Sequence, residues 1–404
     1  MTMRFCFLMP QREHYSPVTG GAVSTVTANV SKELQSMGHC VDVIAPNCDQ
    51  PGHKDGQVHF ISHENTHGIV GVAAHFEARF RGWDSPHEGR FYSKALKTIE
   101  FLRPDVLVLA NDLERISAVR RLLPTVRIVS WIHNECRSRR ARAGGLGQVD
   151  AFLCCSDYIK DWLTREYRLD GSRAHTAHAG VDRCLFYPSV DPRPEGALRV
   201  LFTGRLDRNK GVDVAVDTVA RLRERGVPIQ LSVAGNTWFY PREGSDRDPF
   251  QNGLRKAMKE SGTDWLGHVP RRFLPDVMRS HDVALVLSRS QEPFGLVVLE
   301  SMASGLAVIA SHRGGLGEAC GGAAMVVEPE DRSAVAALLD RLSKDRTELN
   351  RWRTRSLERM RTASWSDTAK VLCRAVGASP PAVDRGKGLV GAVEEIQLGL
   401  KKSS

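Results

Sequence analysis

What constrains this chain most is a rhythm. Short apolar runs alternate with segments of helical periodicity, and polar or glycine-bearing turns separate them. Phe5–Met9, Val41–Ala45, Asp105–Ala110, Ile128–Ile132 and Phe152–Cys155 read as strands in the first half; Arg199–Thr203, Ile229–Ala234, Val283–Leu287, Ala307–Ala310 and Met325–Val327 read as strands in the second, with a strand edge at Trp265–Val269. Between them, Val23, Val26, Val30, Leu34 and Met37 recur at helical spacing, and Phe91–Leu102, Ser156–Tyr167, Asp213–Arg225 and Gly295–Ser304 read as further helices. Gly38 and Gly226 stand where helices usually stop. Strands that alternate with helices in this way build parallel α/β sheets. The rhythm breaks at residues 188–197, which hold three prolines, two acids and a glycine, and it restarts at Leu198. A chain of 404 residues is too long for one ordinary core. Two α/β domains are therefore expected, 1–187 and 188–364. Residues 331–362 read as helical and charge-rich, and Trp365–Val376 as one more helix opening a segment 365–404. Residues 50–90 and the tail 378–404 carry no firm assignment.

Composition narrows the class. At 42% hydrophobic and 25% charged, the chain is an ordinary globular one. Its 56 Lys+Arg against 47 Asp+Glu leave a net charge of +9, compatible with an anionic substrate or an acidic membrane surface; no nucleic-acid partner is expected. Nine cysteines with no C-x-x-C spacing read as reduced core thiols of a cytosolic protein. Phe5–Met9 reads as a first strand rather than a secretion signal. No stretch approaches the roughly 18 uninterrupted apolar residues of a spanning helix. A soluble or membrane-peripheral protein is expected.

In open α/β sheets, ligands bind in the crevice beyond the carboxyl ends of the strands, and the chemistry-bearing residues fall there. The stretch Ser290–Glu300 follows an apolar strand and enters a helix. A helix N-terminus offers unpaired amides to an anion, and Gly295 allows close approach. Glu292 precedes the helix and Glu300 lies more than a turn inside it. Carboxylates accept hydrogen bonds from sugar hydroxyls, so a nucleoside-diphosphate sugar fits: sugar on Glu292, diphosphate on the helix start, ribose on Glu300. Two exposed acids flanking an ordinary helix are the plainer alternative. Gly20-Gly21 stands at the first strand-to-helix turn, where it marks a ligand approach or a plain tight turn. His133 ends a strand in the same crevice, as a site residue or a strand cap. Arg205 and Lys210 follow another strand end; a guanidinium fork and an ammonium suit a leaving diphosphate, though turn residues are often charged too. Arg137, Arg139, Arg140 and Arg142 form a basic loop, either solvated or attracting an anionic acceptor or acidic headgroups. Asp246-Arg247-Asp248 sits in a polar loop beyond a strand end and reads as surface rather than metal site. The chain has no P-loop, and no glycine fingerprint of the dinucleotide type follows a strand.

Several of these motifs together resemble the retaining glycosyltransferase family 4 of the GT-B superfamily. They are Gly204-Arg205-Leu206 with Lys210-Gly211, Glu292-Pro293-Phe294-Gly295 with Glu300, and Gly314-Gly315 with Glu318; Gly20-Gly21, His133-Asn134 and Gly180-Val181-Asp182 agree more weakly. The resemblance runs to about Val376. It departs at Ala179, where the family usually has Asn. It implies two Rossmann-like domains facing across a cleft, with the helix near Trp365–Val376 crossing back onto the first. It implies a UDP- or GDP-sugar donor, held by Arg205, Lys210 and the amides of Gly295 and Leu296, with Gly20, Gly21, His268, Val269, Phe294 and Val297 also on the donor side. Glu292 would hold the sugar, Glu300 the ribose, and His133 would lie near the reacting carbon. No metal or other cofactor is implied. The acceptor would be a glycan, glycolipid or small molecule, as in cell-envelope polysaccharide or lipopolysaccharide synthesis. A nicotinamide-dependent two-domain oxidoreductase and a non-catalytic sugar-nucleotide-binding protein are the competing expectations.

Overall fold

The computed structural model describes residues 1–19, 21–62, 86–138, 141, 145–189, 196–236 and 249–378. Gly20, Arg139, Arg140, Arg142, Asp246, Asp248 and the tail beyond residue 378 lie outside the described residues. Seven strands, β1 (Arg4–Leu8), β2 (Cys40–Pro46), β3 (Gln57–Ile61), β4 (Val106–Ala110), β5 (Arg127–Ile132), β6 (Ala151–Cys154) and β7 (Ala174–Thr176), form one sheet in the order β3-β2-β1-β4-β5-β6-β7. Six more, β8 (Leu198–Thr203), β9 (Ile229–Ala234), β10 (Asp264–Gly267), β11 (Val283–Val286), β12 (Ala307–Ser311) and β13 (Met325–Val327), form a second in the order β10-β9-β8-β11-β12-β13. Every pairing between these strands is parallel. Each sheet grows outward from its first strand, then returns to that strand's other side. The order therefore reverses between β1 and β4 and between β8 and β11, and a doubly wound sheet opens its ligand crevice at such points. Both halves are Rossmann-like, and together they make a GT-B fold.

The central strands are apolar along their whole length because helices cover both faces. Phe5, Cys6, Val106–Leu109 and Ile128 are fully buried in the first sheet, as are Val200, Leu201 and Val283 in the second. The helices are α1 (Ala22–Ser36), α2 (Pro86–Leu102), α3 (Ile116–Leu122), α4 (Asp157–Tyr167), α5 (Val212–Glu224), α6 (Pro249–Glu260), α7 (Leu274–Arg279), α8 (Leu296–Ala303), α9 (Leu316–Cys320), α10 (Arg332–Lys344), α11 (Arg346–Met360) and α12 (Trp365–Ala375). Helix α1 buries Val23, Val26, Val30 and Leu34, the face that the spacing marks. The apolar cluster of the first domain continues through Phe294, Val298, Met302 and Leu316 of the second, so the two domains share packed surface.

Helix α12 returns to the first domain and packs on α1. Thr368 Oγ1 donates to His178 O at 2.6 Å. At the junction, a Cβ on Gly180 would lie 2.2 Å from Trp365 N, so only glycine allows this close passage. Among the described residues no helix is long and apolar enough to cross a membrane.

The structure departs from the sequence reading in places. Residues 331–362 are helical as expected, but in two helices: Asp345 leaves the helical region and its carboxylate accepts from Glu348 N at 2.8 Å, which ends α10 and caps α11. Helix α6 begins within the stretch 236–253 that reads as polar loop; its buried residues Gln251, Leu254 and Met258 sit at helical spacing, but the first is polar. Strands β3 and β7 are short sheet-edge strands with only one buried residue each, too little apolar signal to stand out. All nine cysteines are free thiols, yet only Cys6, Cys154, Cys155, Cys320 and Cys373 are core; Cys40 and Cys184 are exposed.

Candidate active site

A cavity of about 500 Å³ opens between the carboxyl ends of the two sheets. Its second-domain wall includes Arg205, Lys210, His268, Val269, Glu292, Gly295, Leu296, Val297 and Glu300. Two turns shape this wall. After β8, Asp207 Oδ1 accepts from Lys210 N at 3.1 Å, and Gly211 follows at φ +72°, where a Cβ would lie 2.2 Å from Leu287 O. That glycine lets the turn close against the end of β11. After β11, Gly315 N donates to Glu292 O at 2.7 Å, and Gly314 at φ +58° leaves no room for a Cβ, which would lie 2.3 Å from the same oxygen. The Gly314-Gly315 pair thus clamps the backbone that presents Glu292.

Glu292 is buried, and its Oε1 bonds Lys210 Nζ while accepting from Ser288 Oγ at 2.6 Å. A buried carboxylate with a cation and a hydroxyl on one oxygen is paired rather than stranded. Arg205 is less committed. Its guanidinium lies 3.5 Å from Asp207 Oδ2 with 43% of the side chain exposed. Gly295 precedes α8 in the left-handed region at φ +102°, and no side chain caps the helix. The first amides of a helix have no intrahelical acceptor, and Leu296 and Val297 line the cavity. Deeper on this wall, Glu300 is buried and Arg271 Nη1 lies 2.6 Å from its Oε1, an ion pair not aligned as a hydrogen bond. Arg271 also stands 5.2 Å from the centre of the Phe186 ring.

The first-domain wall differs. His133 follows β5, buried, with its ring stacked on Trp131 at 5.3 Å and its backbone N–H donating to Asn111 Oδ1 at 2.7 Å. Burial pushes its pKa down to about 3, so the imidazole is neutral at physiological pH. Glu13 lines the cavity at the start of α1, where Ser24 N donates to Oε1 at 3.3 Å. Burial raises the pKa of this carboxyl, against the lowering effect of bonds from Ser24 and Val23. A Cβ on Gly21 would lie 2.0 Å from Glu13 Oε1. The close approach that Gly21 permits is therefore to this carboxylate, which already occupies the helix N-terminus.

Comparison with known proteins agrees with this architecture. The model described as "Glycosyl transferases group 1" matches residues 187–359, and "Glycosyltransferase Family 4" matches residues 19–183. The chain belongs to the family 4 glycosyltransferases. This glycosyltransferase is 28% identical to a glycogen synthase of Mycobacterium tuberculosis strain H37Rv over 361 residues, 80% of this chain and 82% of that one. It is 34% identical to a D-inositol 3-phosphate glycosyltransferase of Arthrobacter sp. strain FB24 over 197 residues, 45% of either chain. Anabaena HepE, solved with UDP and glucose, shares the fold with a TM-score of 0.69 at 14% identity, over 93% of this chain and 100% of that one. Sucrose-phosphate synthase from Thermosynechococcus elongatus does so with a TM-score of 0.72 at 17% identity, over 93% and 100%.

Of the residues that the sequence marks in this glycosyltransferase, the cavity gathers Arg205, Lys210, His133, His268, Val269, Glu292, Phe294, Gly295, Leu296, Val297 and Glu300. Phe294 contributes mainly from the interior: it is buried and stacks on His178 at 5.3 Å. Arg137 is not brought to the cavity. It is exposed, 3.8 Å from Glu135 and 4.0 Å from Glu166. Glu13, Ser288 and Arg271 are cavity residues that the sequence reading missed. Arg271 and Ser288 had a signal, since they follow β10 and β11 as Arg205 follows β8; Glu13, five residues beyond β1, had a weaker one.

Proposed function

We propose that this enzyme transfers a hexose-type sugar from UDP or GDP to a hydroxyl of a glycan, glycolipid or small-molecule acceptor. Transfer retains the anomeric configuration and serves cell-envelope polysaccharide or lipopolysaccharide synthesis. The reading is carried by one convergence: a cation-paired carboxylate, Lys210–Glu292, beside the uncapped start of α8 and the free face of Arg205. Arg205, Lys210 and the α8 amides hold the diphosphate and stabilise the charge that grows as the glycosidic bond breaks. Glu292 takes the donor sugar's hydroxyls. Glu300 takes the ribose, sharing its carboxylate with Arg271. His133, neutral, offers a hydrogen bond near the reacting carbon without a competing positive charge. The diphosphate oxygen left behind helps deprotonate the acceptor hydroxyl on the same face. The two cations do the work a metal ion does in other transferases, so the reaction needs none. The enzyme works in the cytoplasm, and the arginine-rich stretch around Arg137 favours an acidic membrane face or an anionic portion of the acceptor.

UDP-, GDP- and ADP-sugars incubated with the protein in EDTA test the reading through slow release of nucleoside diphosphate. One donor class should be hydrolysed, with the anomeric configuration of the freed sugar retained by NMR. Activity that vanishes in EDTA and returns with Mg²⁺ or Mn²⁺ would contradict the metal-free assignment; release with inversion would contradict the stereochemistry.

A further inference from the structure

Glu318 belongs to the second domain, yet its carboxylate bonds to the first. Asp157 N donates to Oε2 at 2.6 Å and Tyr158 N donates to Oε1 at 2.9 Å. These are the opening amides of α4, which have no intrahelical acceptor and sit at the positive end of the helix dipole. His178 Nε2 lies 2.9 Å from the same Oε2. Burial works to raise the pKa of Glu318, but the bonds from His178, Tyr158 and Asp157 outweigh it and hold the carboxyl below its ordinary value.

The contacts beside it tie this junction to the loop that presents Glu292. Ser156 Oγ donates to Pro293 O at 2.5 Å, and the His178 ring stacks on Phe294. A Cβ on Gly315 would lie 2.3 Å from Pro293 O and 2.9 Å from Ser156 Cβ, so glycine lets the domains meet here. Asp157, His178 and Glu318 also offer ligand atoms within 4.8 Å of one another, and no ion lies there. The acids are already engaged, Glu318 by two backbone N–H groups and Asp157 Oδ1 by Thr176 Oγ1. The cluster is a set of hydrogen bonds across a domain boundary.

We propose that Glu318 is a positioning residue for sugar transfer. Its carboxylate fastens the start of α4 to the Glu292–Gly295 loop and fixes the first-domain wall, with His133, against the donor wall. The proposal rests on the functional reading above, but the contact itself is open to test without substrate. A carboxylate suits the task because both oxygens accept. Glu318→Gln keeps the shape but offers one acceptor, and turns an N–H donor toward a backbone N–H.

The test compares wild type, Glu318→Gln and Glu318→Ala in the ligand-free full chain by residue-resolved amide hydrogen exchange. Exchange at Asp157 and Tyr158 should rise by at least about tenfold in both variants, the loss of a hydrogen bond to a charged group, while β1 and β4 amides stay protected. With the donor that the hydrolysis screen identifies, turnover should fall while the affinity for UDP or GDP stays unchanged. Wild-type exchange rates at Asp157 and Tyr158 in Glu318→Gln would overturn the contact. Nucleotide affinity falling along with turnover would overturn the positioning role, as would unchanged turnover. A melting point raised by Mg²⁺, Mn²⁺ or Zn²⁺ in wild type but not in Glu318→Gln would replace the latch by a cation site. A wild type that turns over none of the donors while the exchange result holds would sink the functional reading and the positioning role together, and leave an interdomain latch.

Discussion

The two walls of the cavity stand on sheets of one topology and differ in chemistry. On the second domain, charge is dense and internally paired: Glu292 with Lys210 and Ser288, Arg271 with Glu300, and Arg205 loosely on Asp207. On the first, a neutral imidazole stacks on Trp131, apolar Val23 and Val26 line the space, and Glu13 is the charged side chain among the described lining residues. On the proposed reading the difference separates two tasks: charge that would meet a diphosphate is held in advance on one wall, so little reorganisation is needed when the bond breaks. A wall with few charges offers shape and hydroxyl contacts, which on the same reading suits the acceptor. The comparison breaks if substitutions on the two walls have the same consequences.

The largest effect is expected at Lys210. Removing one preorganised donor typically costs about 10²–10³ in turnover. Lys210→Ala should lose about that much, and its melting temperature should fall as well, because buried Glu292 keeps Ser288 but loses its cation. Arg205→Lys should also lose turnover, since a point charge does not replace a bidentate fork. A turnover within a few-fold of wild type in Lys210→Ala would take the charge off this wall.

A smaller effect, on stability, should mark the first wall. In the unfolded chain His133 titrates near its ordinary 6.5, and burial pushes it to about 3 in the folded one. Between those values the unfolded chain binds a proton that the folded chain refuses. The contribution of the neutral ring is therefore present above pH 6.5 and lost as pH falls toward 3. His53, pushed down to about 4 by burial and then by Arg271, shares this window. Melting temperatures of His133→Asn should thus fall less steeply with acid than those of wild type, though not flatten. Parallel curves would mean that the ring is not held neutral.

The smallest effect belongs to the arginine-rich stretch that begins at Arg137. Serine at positions 137, 139, 140 and 142 should slow transfer to the natural acceptor and flatten its salt dependence, because exposed charges are screened within about 10 Å at 0.1 M salt. Donor hydrolysis should barely change. An equal fall in both would make the stretch structural.

The second-domain wall was legible in the sequence because its shape depends on backbone. Gly211, Gly295, Gly314 and Gly315 stand where a Cβ would strike main chain or a packed side chain, and such demands leave spaced motifs. The alternation of strands and helices showed the two sheets for a similar reason, since a doubly covered parallel strand must be apolar throughout. What the sequence hid depends on contacts between distant segments. Arg271 meets Glu300 only because β10 ends and α8 begins at the same crevice, and Glu13 reaches α1 only through the fold of the loop after β1. Gln251 is a polar residue on the buried face of α6, which weakens the periodicity that marks a helix.

The division of labour between the walls is tested most directly by calorimetric titration of UDP and of GDP, in EDTA, into wild type, Glu300→Gln and Glu13→Gln. One of the two nucleotides should bind wild type. Glu300→Gln should weaken it by about 1.5–3 kcal/mol, the size of a hydrogen bond to a charged group, and Glu13→Gln should leave it nearly unchanged. Equal losses in both variants, or a loss in Glu13→Gln alone, would contradict the account.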